Sequence, residues 1–198
     1  MSRPARWIRL DTRGVAGVSA ACRGFARTLE QGAAPVCLWG RAAEPVWLDD
    51  GLWAEPGEFV FAIIVARHRA PRASRWLAWG LSPVVAALRR FGAHAYLDGQ
   101  DIRMYGTRIA GGRAREIEGC AVVMGTFPAD PPIEPPESGE RGRLLEIDPW
   151  LDALTREGRA RQMLAAFRSA VEVQHGWEFD TGWPSDTERS ALDAAAQR

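Results

Sequence analysis

The sequence holds no lysine and no asparagine, so all 25 of its basic residues are arginines. Base composition in a GC-rich genome accounts for both absences, and the chemical consequence stands regardless. Schiff-base catalysis, a lysine general base and the lysine clamp of a P-loop are all excluded, and with them pyridoxal phosphate chemistry. Cys22, Cys37 and Cys120 stand far apart, without a Cys-x-x-Cys pair or a Cys/His cluster at zinc spacing. They read as small buried thiols, and no metal site is expected. His68, His94 and His175 have no partner spacing that builds a Ser-His-Asp or Cys-His arrangement. Asp49, Asp50 and Glu55 are near enough in sequence to share a cation, but their turn-forming neighbours favour a solvated turn.

What chemistry is left lies between Ala95 and Gly112, AYLDGQDIRMYGTRIAGG. Arg108 is either a clamp for a carboxylate or phosphate, which a guanidinium binds through paired donors, or an exposed hairpin arginine. Asp101 either orients a substrate amine or caps its own backbone in an Asx turn. Gly106, Gly111 and Gly112 serve turn geometry under both readings. Among nine tryptophans, most belong to packing, but Trp47, Trp53, Trp76 and Trp79 are candidates to line an apolar cavity for a fatty chain or a ring.

The elements that would position these residues follow from composition and periodicity. A chain of 198 residues, 46% hydrophobic and 25% charged, suits one globular domain spanning residues 1–198. Its formal net charge of zero provides no global field for nucleic acid or an anionic membrane, so neither is expected as a partner. Met1 to Gly14 has no apolar h-region, and no run approaches the ~18 apolar residues of a membrane span. A cytoplasmic protein is the expectation.

Val18, Cys22, Phe25 and Leu29 at helical spacing predict an amphipathic helix from Val15 to Glu30, stopped by Gly32. Pro35 to Trp39 and Pro45 to Leu48 read as strands, Asp49 to Gly57 as a turn, and Phe59 to Ala66 as a strand covered on both faces. Ser74 to Phe91 is a helix in which Pro83 predicts a kink or a restart capped by Ser82. Short strands follow at Ala93–Leu97, Ile102–Tyr105, Arg108–Ala110 and Cys120–Phe127, with a hairpin turn at Gly106 and Thr107. Residues 128–143 form a proline-rich loop, and Leu144 to Ile147 an edge strand. The segment 144–198 is otherwise helical: a short helix from Pro149, a longer one over Glu157–Val173, and a tail expected to fray.

The segment Ala95 to Phe127 resembles the central motif of the biotin and lipoate protein ligases. Gln100 and Asp101 stand at the family's Asn-Asp position, and Gly106 to Gly111 stand where a lysine-bearing Gly-Arg-Lys turn would be. Cys120 to Phe127 matches the strand that follows, and Glu55-Pro56-Gly57-Glu58-Phe59 resembles the Asp-Pro-Gly-Glu-Leu stretch of lipoate ligases. The resemblance implies an α+β, class II synthetase-like catalytic domain, a mixed and mostly antiparallel sheet flanked by helices. It implies ATP with magnesium, an acid such as biotin, lipoate or octanoate, and a biotinyl- or lipoyl-type carrier domain as partner. Arg108 and Asp101 would be the catalytic positions; Gln100, Gly106, Gly111, Trp47 and Trp53 would bind ligand. Arg108 replaces the family's lysine, and Trp47 to Ala54 replaces its glycine-rich signature. The expectation is a divergent member that binds the acid or its acyl-adenylate without the family's catalysis. An active ligase or transferase using Arg108, and a non-catalytic partner of a carrier domain, are the alternatives.

Overall fold

A computed structural model describes residues 2–11, 15–30, 34–130 and 149–196, without the side chains of 30, 149–153, 191, 195 and 196. Its strands are β1 (Arg3–Arg9), β2 (Val36–Arg41), β3 (Val46–Asp49), β4 (Leu52–Ala54), β5 (Phe59–Ala66), β6 (Tyr96–Asp98), β7 (Asp101–Met104), β8 (Thr107–Ile117), β9 (Cys120–Phe127) and β10 (Trp177–Thr181). Its helices are α1 (Val18–Glu30), α2 (Trp76–Arg90), α3 (Pro149–His175) and α4 (Asp186–Ala196). Eight strands make one sheet in the order β10-β1-β2-β5-β9-β8-β7-β6, and β3 with β4 forms a separate hairpin. β1 runs parallel to both β10 and β2; the remaining pairs are antiparallel. The sheet is therefore mixed and mostly antiparallel, as expected.

Alternation along each strand decides what faces what. Phe59, Phe61, Ile63 and Val65 of β5 pack with Leu81, Val84 and Leu88 of α2 and Met163, Phe167 and Val171 of α3. The intervening Val60, Ala62 and Ile64 pack with Val18, Cys22, Phe25 and Leu29 of α1 and with Val46, Leu48, Leu52 and Ala54 of the small hairpin. All eight residues of β5 and all eight of β9 are buried, which is why both read as continuous apolar runs. Each large side chain buried in this way contributes roughly 1.5–3 kcal/mol. Cys22, Cys37 and Cys120 are buried free thiols; burial pushes Cys22 up to about 12 and raises Cys37 as well.

Several expectations need correction. The segment Asp49–Gly57 is not all turn, because Leu52–Ala54 pairs with β3 and buries Leu52 and Ala54. Helix α2 runs through Pro83 without a break. Pro83 has no N–H to offer the carbonyl of Trp79, and the Ser82 hydroxyl reaches that carbonyl at 3.1 Å while sharing its one proton with Gln174 Oε1 at 2.6 Å. The hairpin turn falls on Tyr105 and Gly106, with Thr107 already in an eleven-residue β8. One 27-residue helix replaces the two expected after Pro149. Residues 131–148, which carry most of the proline loop and the Leu144–Ile147 strand, lie outside the described residues.

The tail is helical over Asp186–Ala196. Ser185 and Glu188 make a capping box that starts α4: the Ser185 N–H donates to Glu188 Oε2 at 2.8 Å, and the Glu188 N–H donates to Ser185 Oγ at 3.3 Å. Glu188, fully buried, takes two hydrogen bonds from the Arg6 guanidinium at 2.7 and 2.9 Å and a third from Thr28 Oγ1 at 2.8 Å. One carboxylate thus ties β1, α1 and α4 together. Burial alone raises its pKa, but the hydrogen bonds from Arg6, Ser185 and Thr28 outweigh it and hold Glu188 below the usual carboxylate range. A depressed folded-state value means that the contribution is complete above the ordinary Glu pKa of about 4.3 and is lost as pH falls through the folded value. Glu188→Gln should lower the unfolding free energy by roughly 3 kcal/mol in urea denaturation at neutral pH, because it leaves Arg6 without a counter-charge. The difference from the parent chain should shrink as the pH falls below the ordinary Glu pKa of about 4.3, and a constant difference would refute this assignment.

Candidate functional site

Two tight turns bring the motif residues together. Gly99, at φ +59°, reverses the chain between Asp98 and Asp101, and the backbone at Tyr105 and Gly106, at φ +51° and +79°, makes the mirror-image turn that suits a two-residue hairpin. A register shift between Ile102 and Arg103 then lets Arg108 reach back to Asp101. The Arg108 Nε lies 3.3 Å from Asp101 Oδ1. Asp101 also pairs with Arg103 at 3.2 Å, and Arg103 with Asp98 at 3.1 Å. On its other side the Arg108 guanidinium lies over the Trp53 ring, 5.1 Å from the centroid. Gly111 sits below: a Cβ there would come within 3.1 Å of Arg108 Nη2 and 3.2 Å of the Gln100 carbonyl.

Beside Arg108 is a recess of about 220 Å³ lined by Trp53, Glu55, Glu58, Arg108, Ala110 and Thr126. Trp53 Nε1 donates to Glu55 Oε1 at 2.8 Å, and the Glu55 N–H donates to Glu58 Oε2 at 2.9 Å. Burial and the neighbouring Glu55 carboxylate raise the pKa of Glu58 against the lowering effects of the Glu55 amide and Arg108. The recess therefore offers one cation, already matched by Asp101, among carboxylates. It is smaller than the ~300–1,000 Å³ of small-molecule pockets, and its acids would repel a polyphosphate. ATP with its magnesium does not fit here, and the described residues contain no group of three or more His, Cys, Asp or Glu arranged to hold a metal ion.

Arg108, Asp101, Gly111 and Trp53 are brought together. Gln100 enters through its backbone, accepting the Gly112 N–H at 2.9 Å. Gly106 is at the hairpin tip with open space beside it, and Trp47, 70% exposed, touches Trp53 with ring centroids 5.6 Å apart; neither lines the recess. Trp76 is core, and Trp79 stacks on His175 at 4.2 Å, so neither walls a ligand cavity at this site. Sequence reasoning missed Glu58 and Thr126 as lining residues. Gly57, at φ +91°, was the available sign that the chain bends there to present Glu58. A larger cleft of about 700 Å³, lined by Arg9, Trp39, Arg41, Phe59, Arg161, Trp183 and neighbours, was not foreseen either.

No protein-family profile and no curated protein sequence matches the chain. Solved structures do resemble it. One is the lipoate protein ligase of a bipartite archaeal lipoylation system from Thermoplasma acidophilum, studied with its E2 lipoyl domain. It has a TM-score of 0.68 and 13% identity over 98% of this chain and 92% of that one. A second Thermoplasma acidophilum structure, described as a lipoate protein ligase with bound lipoic acid, gives 0.65 and 13% over 98% and 94%. A lipoate-protein ligase A bound with ATP gives 0.64 and 16% over 100% and 95%. The chain thus has the lipoate protein ligase fold, as the resemblance in its hairpin segment implied. No helix of the described residues is long and apolar enough to cross a membrane.

Proposed function

We propose that this chain is a divergent biotin/lipoate ligase-like protein that binds a carboxylic-acid cofactor without activating it with ATP. The state of Arg108 carries the reading. Adenylation needs a fixed cation where charge builds between the acid and the α-phosphate. Here the cation at the motif position is paired with Asp101 at 3.3 Å, covered by Trp53 and flanked by Glu55 and Glu58. A recess of about 220 Å³ lined by two further acids leaves no room for an acyl-adenylate beside Arg108. Lipoic acid and ATP, each present in a structure of this fold, are the first compounds to try.

A second reading, a non-catalytic partner of a lipoyl-type carrier domain, draws support from Trp47. This ring projects from the hairpin beside Trp53 at 70% exposure, as an anchor for another protein surface would. One structure of this fold was studied together with an E2 lipoyl domain. Under this reading Trp47→Ala weakens capture of a purified lipoyl domain at least about tenfold, and unchanged capture removes it.

For the first reading, pyrophosphate release is measured with ATP, magnesium and biotin, lipoate or octanoate. Release should not exceed that of a heat-killed control, and Arg108→Ala should be indistinguishable. Acid-dependent release that Arg108→Ala abolishes would contradict the proposal and point to an active ligase working through Arg108.

A further inference from the structure

The larger cleft shares no lining residue with the Arg108 recess. It opens where β1 and β2 end against helix α3, on the face of the sheet that carries the aromatic core. Its volume of about 700 Å³ is in the range of small-molecule sites. Trp39, Phe59 and Leu164 supply an apolar wall, with the Trp39 and Phe59 rings edge to face at 6.3 Å. Trp39 Nε1 is buried in that wall without an acceptor. Trp183, 85% exposed, stands at the rim.

The rim charges are not equivalent. Arg41 is spent: it pairs with Glu157 at 2.7 Å and donates to the Gly57 carbonyl at 3.0 Å. Arg9 stacks on Trp39 at 5.6 Å, and neither Arg9 nor Arg161 has an ion-pair partner among the described residues. Among the described lining residues, three arginines against Asp11 and Glu157 leave one net positive charge, a match for a single carboxylate and a poor one for a polyphosphate.

We infer that this cleft, and not the recess beside Arg108, is where the chain takes its ligand: a monocarboxylic acid with an aliphatic or single-ring body. Arg9 and Arg161 hold the carboxylate, the body lies along Trp39, Phe59 and Leu164, and Trp183 covers it. The inference rests on the reading that the chain binds such an acid, and it adds the place and the single charge.

The test is isothermal titration of the full chain with octanoate, with octanamide as its neutral counterpart. Octanoate should bind at least about tenfold tighter than octanamide, and Arg9→Ala and Arg161→Ala should each weaken it about tenfold, the cost of one charge-assisted contact. Both side chains are exposed, so the variants should fold, and Arg72→Ala, an exposed arginine outside the cleft, should bind as the parent does. Equal affinity for octanamide would overturn the charge assignment. Full affinity in both cleft variants, or a loss confined to Arg108→Ala, would overturn the location while leaving acid binding intact. No heat from octanoate, lipoate or biotin would overturn acid binding itself and the cleft with it.

Discussion

The seating of the β3–β4 hairpin on the sheet determines what the motif region can do. Leu48, Leu52 and Ala54 are buried with Val60, Ala62 and Met124 in one apolar cluster, and the Ser19 hydroxyl fastens the hairpin through the Leu48 carbonyl. Because side chains alternate along a strand, burying Leu52 and Ala54 sends Trp53 the other way, over Arg108. Two buried leucines contribute roughly 1.5–3 kcal/mol each, against about 0.5–1 kcal/mol for a partly exposed cation–π contact. Apolar packing therefore places the tryptophan, and its stacking on the guanidinium follows.

Electrostatics decides the character of the recess without holding the fold. The Arg108–Asp101 and Arg103–Asp101 pairs are partly exposed and, like other surface pairs, contribute at most about 1 kcal/mol each. Their effect on a ligand is larger, because an incoming anion must compete with a carboxylate already in place and meets Glu55 and Glu58 as well. Charge at the ends of β1 and β2 is arranged in the opposite sense, with arginines in excess beside an aromatic wall. The two concavities thus divide the properties expected of one ligase site, the motif arginine lying in one and the ligand-sized volume in the other.

Local regularity made much of this readable from sequence. The runs at Phe59–Ala66 and Cys120–Phe127 are apolar and β-branched, and the helix at Val18–Glu30 shows its spacing, because each answers to neighbours of its own kind. Asp101 and Arg108 were legible because one hairpin joins them. β1 was not: three arginines in seven residues hide its alternation, and the charge of Arg6 is answered by Glu188, 182 positions away. Three residues were too few to show β4 by periodicity, and Ser82 partly compensated for Pro83 in a way that a proline rule does not anticipate. Trp53 was read as the wall of a cavity, and it lines the Arg108 recess with the direction of its side chain fixed by Leu52 and Ala54.

If hairpin packing closes the motif site, giving back the missing ammonium should not reopen it. The direct measurement is acid-dependent ATP–pyrophosphate exchange by Arg108→Lys with octanoate, lipoate or biotin. Exchange should stay at the background of the parent chain, because Trp53, Glu55 and Glu58 still occupy and charge the recess. Exchange that rises with acid concentration in Arg108→Lys alone would mean that the recess admits a nucleotide and that only the lysine was missing.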